Sequence, residues 1–233
     1  MEESPEFDVS ITPAEAIRLQ IVLRERCIIA QVLDDADIGS VAGADAAYAG
    51  DIVYAVAVSL SLPDLETIEC QWVKKRVEFP YIPGLLAFRE GPALLSACRM
   101  LSEKPDIWFF DGHGFAHPRR FGLACHMGVL LDKPSIGVAK EPLGGISVTI
   151  PPDRRGETTP LKDKEEVIGN AVRTVKGQKP VYVSPGHKTD FAQAVRLTLA
   201  SLGKSRIPAP LQEAHLLSRE IRMQLRPDVA DRS

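Results

Sequence analysis

The chain has 233 residues, with 28 Lys+Arg against 31 Asp+Glu, 45% hydrophobic residues and 4 Cys. This composition excludes disordered and fibrous classes, and the length suits one large domain better than two small ones; the single domain expected spans residues 1–233, with its core at about 12–226. No apolar run approaches the roughly 20 residues of a membrane helix, and the acidic residues 1–7 do not have the basic-then-apolar form of a secretory leader.

Cys27, Cys70, Cys98 and Cys125 contain no C-x-x-C pair, which argues against a zinc knuckle or a disulfide framework and for a reducing cytoplasm. The net charge of −3 conceals an asymmetry. Residues 1–69 hold 3 Lys+Arg and 14 Asp+Glu, a net of −11, whereas residues 70–233 hold 25 and 17, a net of +8. A nucleic-acid partner therefore stays open, because phosphate binding depends on local cations.

Thr12-Pro13-Ala14-Glu15 reads as an N-cap, a first-turn proline and a capping box, and predicts a helix from there to about Leu33. Residues 41–49, 52–60 and 66–79 are β-rich and separated by Gly50-Asp51 and Pro63-Asp64, which predicts three antiparallel strands. The second run is apolar on both faces and belongs at the centre of a sheet. Helices then alternate with strands: helix 85–101, strand 107–110, helix 117–131 and strand 135–139. Such crossovers imply parallel strands and a mixed α/β sheet flanked by helices. A short strand at 146–150, a strand at 180–184 and helices at 190–202 and 211–225 complete the expected order.

Asp45 is an acid within an apolar strand. Burying a lone carboxylate costs several kcal/mol, so it lies at a surface, pairs with a cation or binds a metal. Asp111 follows the apolar Ile107-Trp108-Phe109-Phe110 strand at its carboxyl end, the edge where open α/β sheets place ligands; otherwise it is a turn residue before Gly112. Glu90 lies on the intervening helix. Three acids from different elements fit an oxygen-rich Mg²⁺ site, though a solvated helix face is the alternative for Glu90.

His117, beside Pro118-Arg119-Arg120 at an expected helix start, is placed to hydrogen-bond a phosphate. Pro80-Tyr81-Ile82-Pro83-Gly84 is a stiff apolar loop after Lys74-Lys75-Arg76. It suits a wedge that fills the gap left by an extruded base, or else a turn whose tyrosine packs on the core.

Taken together, these stretches resemble the endonuclease V family. The resemblance is carried by Gly43-x-Asp45, by the run from Pro80-Tyr81-Ile82-Pro83-Gly84 through Leu85 to Glu90, and by Asp111-Gly112-His113-Gly114 with His117-Pro118-Arg119. It continues in Gly122-Leu123-Ala124 with His126, Gly137-Val138-Ala139-Lys140, Val183-Ser184-Pro185-Gly186-His187, and Arg206-Ile207-Pro208 with Ala214-His215.

The resemblance implies an RNase H-like fold and an enzyme that hydrolyses the second phosphodiester bond 3′ to deoxyinosine, leaving 3′-hydroxyl and 5′-phosphate ends. It implies Mg²⁺, with Mn²⁺ as a substitute, held by Asp45 and Asp111 and, directly or through water, by Glu90. It places His215 in the same cluster and Lys140 at the scissile phosphate. Pro80, Tyr81, Ile82 and Pro83 become the wedge, while Gly84, Leu85, Gly112, His117 and Gly122 surround the lesion and phosphates. The expected partner is DNA carrying deoxyinosine or another deaminated base, bound by a monomer without any membrane. Two alternatives share these motifs: an endoribonuclease cutting at inosine, and a non-catalytic module for distorted nucleic acid.

Overall fold

The computed structural model describes residues 11–144, 146 and 148–225. Helix α1 (Pro13–Arg24) begins as expected: the Thr12 hydroxyl accepts from the Glu15 N–H, and the Glu15 carboxylate accepts from the Thr12 N–H at 2.7 Å. It ends at Arg24 and does not reach Leu33, because tertiary contacts capture the following chain. The Ile28 N–H donates to His187 Nδ1 at 3.2 Å, the Ile28 carbonyl accepts from the Lys188 N–H at 2.7 Å, and Cys27 Sγ donates to the Gly186 carbonyl at 3.3 Å. The β-branched Ile28-Ile29 pair offers little helical propensity to oppose this.

Strands β1 (Ser40–Ala49), β2 (Ile52–Ser61) and β3 (Thr67–Arg76) form the expected antiparallel meander, with Ala49 opposite Ile52 across the Gly50-Asp51 turn. β4 (Ile107–Phe110) joins β1 in parallel, and β5 (Ser135–Ala139) joins β4 in parallel. The sheet then continues antiparallel through β8 (Val181–Pro185), β7 (Glu166–Val172) and β6 (Thr158–Asp163), in the order β3-β2-β1-β4-β5-β8-β7-β6. The run of parallel strands stops at β5 because a hairpin, not a crossover helix, lies between β5 and β8.

Helices α1, α2 (Leu86–Met100) and α3 (Leu123–Leu131) cover one face of the sheet, where Ala42, Ala44, Trp108 and Phe110 pack against Phe88, Leu94 and Met127. Helices α4 (Phe191–Ala200) and α5 (Ala209–Gln224) cover the other, where Val41, Val56, Phe109 and Val183 pack against Leu197, Leu211 and Ala214. This is the mixed sheet flanked by helices of an RNase H-like domain. Strand alternation sends odd-numbered β1 side chains beneath α5, and Asp45 is one of them.

Other elements also differ from the sequence reading. Helix α3 starts at Leu123, not His117, because the preceding residues form a turn: the Arg120 N–H bonds the His117 carbonyl at 2.8 Å and Arg120 adopts φ +54°. The strand expected at 146–150 is absent at residues 146 and 148–150, and Ser147 lies outside the described residues. The β6–β7 hairpin was not expected at all. At the other end, Arg226 of the expected core also lies outside the described residues.

Candidate active site

Gly43 sets the site's geometry. A Cβ there would lie 2.3 Å from the Pro210 carbonyl carbon, so only glycine lets the start of α5 press this closely on β1. The approach brings His215 Nδ1 to 3.0 Å from Asp45 Oδ2, and Ser218 Oγ, one turn further along α5, donates to the same oxygen at 3.0 Å. An ionised carboxylate oxygen can only accept, so Nδ1 is the donor in this contact, and in the neutral imidazole the lone pair lies on Nε2.

The parallel register pairs Ala44 with Phe110, which sets Asp111 beside Asp45 at the end of β4. Asp45, Asp111 and His215 each present a ligand atom within 4.8 Å of the others. Lys140, the residue after β5, places Nζ 2.5 Å from Asp111 Oδ2.

Burial raises the Asp45 carboxyl above its ordinary range, the Asp111 charge adds to this, and His215 opposes it. Burial likewise pushes Glu90 up to about 8, with the Asp45 and Asp111 charges adding and a hydrogen bond from Tyr48 opposing. Mutually repelling, partly buried carboxylates beside an imidazole lone pair fit a divalent cation, whose charge offsets both penalties.

Glu90 is outside the close group. Its Oε1 accepts from the Tyr48 hydroxyl at 3.1 Å, and it is His215 that joins the two aspartates in the close group.

Tyr81 is 69% exposed, while Ile82 packs against the core, so the tyrosine projects from the Pro80-Tyr81-Ile82-Pro83 loop and does not fill the core. The loop closes through the Leu85 N–H onto the Ile82 carbonyl at 2.9 Å, with Leu85 buried beneath it. Its root, Gly84, has φ +82°, and its carbonyl accepts from Arg119 Nη2 at 2.7 Å and His117 Nε2 at 3.1 Å.

The Arg119 backbone N–H donates to His117 Nδ1 at 3.2 Å, which fixes the proton on Nε2. Burial first, then the Arg119 charge, pushes His117 down to about 4, so it is neutral at pH 7. With both ring nitrogens engaged and no helix start beside it, His117 braces Gly84. The phosphate contact expected of it relied on a helix that begins later. Gly112 faces Leu86 and Leu123, and the Gly122 N–H bonds the Gly114 carbonyl at 2.9 Å, so both lie on the crossing from β4 to α3.

Sequence reasoning missed Ser218, Tyr48 and Gln20. Ser218 lies three residues after His215, a same-face helical spacing that was readable. Gln20 sits among the buried positions Ala16 and Leu23 of α1, and a polar residue on an apolar stripe was its signal.

The fold and this cluster define a metal-dependent nuclease of the RNase H-like class. The Endonuclease V family model matches residues 22–216. Endonuclease V of Roseiflexus sp. (strain RS-1) is 44% identical over 205 residues, covering 88% of this chain and 91% of that protein. The crystal structure of Endonuclease V from Streptomyces avermitilis is 42% identical with a TM-score of 0.87, covering 91% of this chain and 94% of that one. Ciona intestinalis Endonuclease V, in complex with a 24mer DNA containing an inosine followed by a ribo-adenosine, is 28% identical with a TM-score of 0.80, covering 91% and 98%.

The chain belongs to the endonuclease V family, and it is a nucleic-acid hydrolase.

Proposed function

We propose that this enzyme repairs deaminated adenine in DNA by hydrolysing the second phosphodiester bond 3′ to deoxyinosine, leaving 3′-hydroxyl and 5′-phosphate ends. The observation that carries this reading is the convergence of Asp45, Asp111, His215 and Lys140 at the carboxyl edge of β4 and β5. An exposed Tyr81 stands on the loop feeding α2, whose Glu90 feels both acids. Asp45, Asp111 and His215 hold Mg²⁺, or Mn²⁺ in its place, and Glu90 supports it through water. The cation supplies the charge that polarises the scissile phosphate and eases loss of a proton from the attacking water. Lys140 moves from Asp111 to the phosphate and neutralises charge developing there.

Tyr81, held between Pro80 and Pro83, fills the space of the extruded base. That base enters a pocket of Gly84, Leu85, Gly112 and Gly122, where the backbone N–H groups of Gly84 and Gly112 recognise the O6 acceptor that distinguishes hypoxanthine from adenine; those of Leu85 and Gly122 are held by the Ile82 and Gly114 carbonyls. His117 contributes by holding the Gly84 peptide. The enzyme works as a monomer in the cytoplasm, a setting that suits its four free thiols.

The test is nicking of an inosine-containing duplex. Activity is expected with Mg²⁺ and lost with EDTA, and Asp45→Ala or Asp111→Ala lowers it more than about a hundredfold with unfolding temperature largely kept. Full activity in either variant overturns the metal site. A second reading, cutting at inosine in RNA, is favoured by the ribo-adenosine after the inosine in the Ciona intestinalis complex. Equal or faster cutting of inosine-bearing RNA in the same assay would establish it.

A further inference from the structure

Gln20 lies on the buried face of α1 and is 1% exposed. A primary amide survives such burial only when its donors and its acceptor are matched. Nε2 donates to the Gly84 carbonyl at 3.1 Å and the Phe121 carbonyl at 3.2 Å, while Oε1 accepts from Arg119 Nε at 2.7 Å. These partners belong to two segments far apart in sequence. Gly84 is the root of the Tyr81 loop, and Arg119 and Phe121 flank the left-handed Arg120 turn that leads to α3.

With Arg119 Nη2 and His117 Nε2, Gln20 is the third donor to one carbonyl, so the orientation of the Gly84 peptide is fixed from three sides. A Cβ at Gly84 would meet Arg119 Nη2 at 2.9 Å, so this clamp is packed tightly against the loop root. Gln20 is therefore a single side chain bonded to both the loop root and the turn, and it lies outside the stretch matched by the family model.

We infer that Gln20 is a positioning residue for lesion recognition: it fixes the Gly84 peptide against the 117–121 turn and so sets the width of the pocket that admits an extruded hypoxanthine. The inference rests on the wedge-and-pocket reading above. Gln20 acts through Gly84, Arg119 and Phe121, so its contribution falls on discrimination between inosine and adenine and not on the hydrolytic step.

The experiment measures equilibrium binding of matched inosine and adenine duplexes in EDTA, and the saturated single-turnover nicking rate with Mg²⁺. It compares the natural protein with Gln20→Met, which keeps the volume and removes all three bonds, and Gln20→Glu, which keeps the Arg119 bond but turns a carboxylate oxygen toward the Gly84 and Phe121 carbonyls. Gln20→Met should lower the inosine-to-adenine affinity ratio about tenfold, the equivalent of roughly one net hydrogen bond. Its saturated nicking rate should stay within about twofold, and Gln20→Glu should lower the ratio at least as far, because its carboxylate oxygen repels the Gly84 carbonyl that the amide holds.

An unchanged ratio in folded Gln20→Met, or a loss confined to the saturated rate, overturns the inference. If Gln20→Met does not fold, Gln20→Glu carries the comparison on the same criteria. If the natural protein itself shows no preference for inosine, the proposed function fails and not the role of Gln20 alone.

Discussion

Glu90 and the buried histidines pull stability in opposite directions with pH. Glu90 titrates at about 8 in the folded protein against an ordinary 4.5, so the folded state holds its proton more tightly. That contribution is complete below pH 4.5 and is lost as pH rises through about 8. Burial pushes His126 down to about 3 and His117 to about 4, from an ordinary 6.5. Both are neutral when folded, so their contribution is present above pH 6.5 and is lost as pH falls toward those values. The metal-free enzyme should accordingly be most stable near pH 6–7. Calorimetry in EDTA should show Glu90→Gln raising the unfolding temperature at pH 8–9 by a few degrees and leaving it unchanged at pH 5. Mg²⁺ should flatten the alkaline limb of the natural protein, because a cation favours charged carboxylates. An alkaline limb indifferent to both changes would remove Glu90 from the electrostatics of the site.

At the level of elements, the site depends on how closely α5 lies on β1. Gly43→Ala puts a methyl group where the Pro210 backbone now stands, and backbone cannot turn aside as a flexible side chain can. Overpacking of this kind costs about 1–3 kcal/mol and moves α5 outward, carrying His215 and Ser218 away from Asp45. Nicking should fall at least about tenfold, while affinity for inosine-containing DNA changes little, since the Tyr81 loop lies outside the contact; equal losses in both would point to general misfolding.

This dependence explains what the sequence made legible. Asp45 and Asp111 stood out because each is an acid attached to an apolar strand, and the parallel β1–β4 register then brought them together. Asp45 and Ser218 are linked only through the fold, and the sequence carries no trace of that contact beyond the spacing to His215. The β6–β7 hairpin escaped notice because it lies at the sheet edge with a mostly exposed first strand, and its Lys164 turn has φ +56° without a glycine to mark it. It is tied to the site all the same, since Arg120 donates from Nε to Glu166 at 2.7 Å and from Nη2 to Asp163 at 2.8 Å. Helix α1 was overextended for the opposite reason, since a plausible periodic pattern yielded to the grip of His187 and Lys188 on Ile28.

Across the whole molecule, the proposed function assigns affinity and recognition to different surfaces. The net of −11 over residues 1–69 against +8 over the rest keeps cations for phosphate on the later part of the chain, and part of the acidic excess is already neutralised internally, as where Asp35 meets Arg196 at 2.7 Å. Lys74 and Lys75 stand exposed on edge strand β3, just before the Tyr81 loop. Each phosphate that such a cation neutralises contributes about −0.9 to the slope of log affinity against log salt. Replacing Lys74 and Lys75 by Ala should therefore make that slope shallower by up to about 2, equally for inosine and adenine duplexes. Tyr81→Ala should do the reverse, leaving the slope intact and lowering the inosine-to-adenine ratio, because on the proposed reading the exposed ring fills space at the lesion and neutralises nothing. Titrations of both duplexes over a range of salt concentrations separate the two effects. A lysine variant that changed the ratio, or a Tyr81 variant that changed only the slope, would show that charge and wedge are not divided between these surfaces.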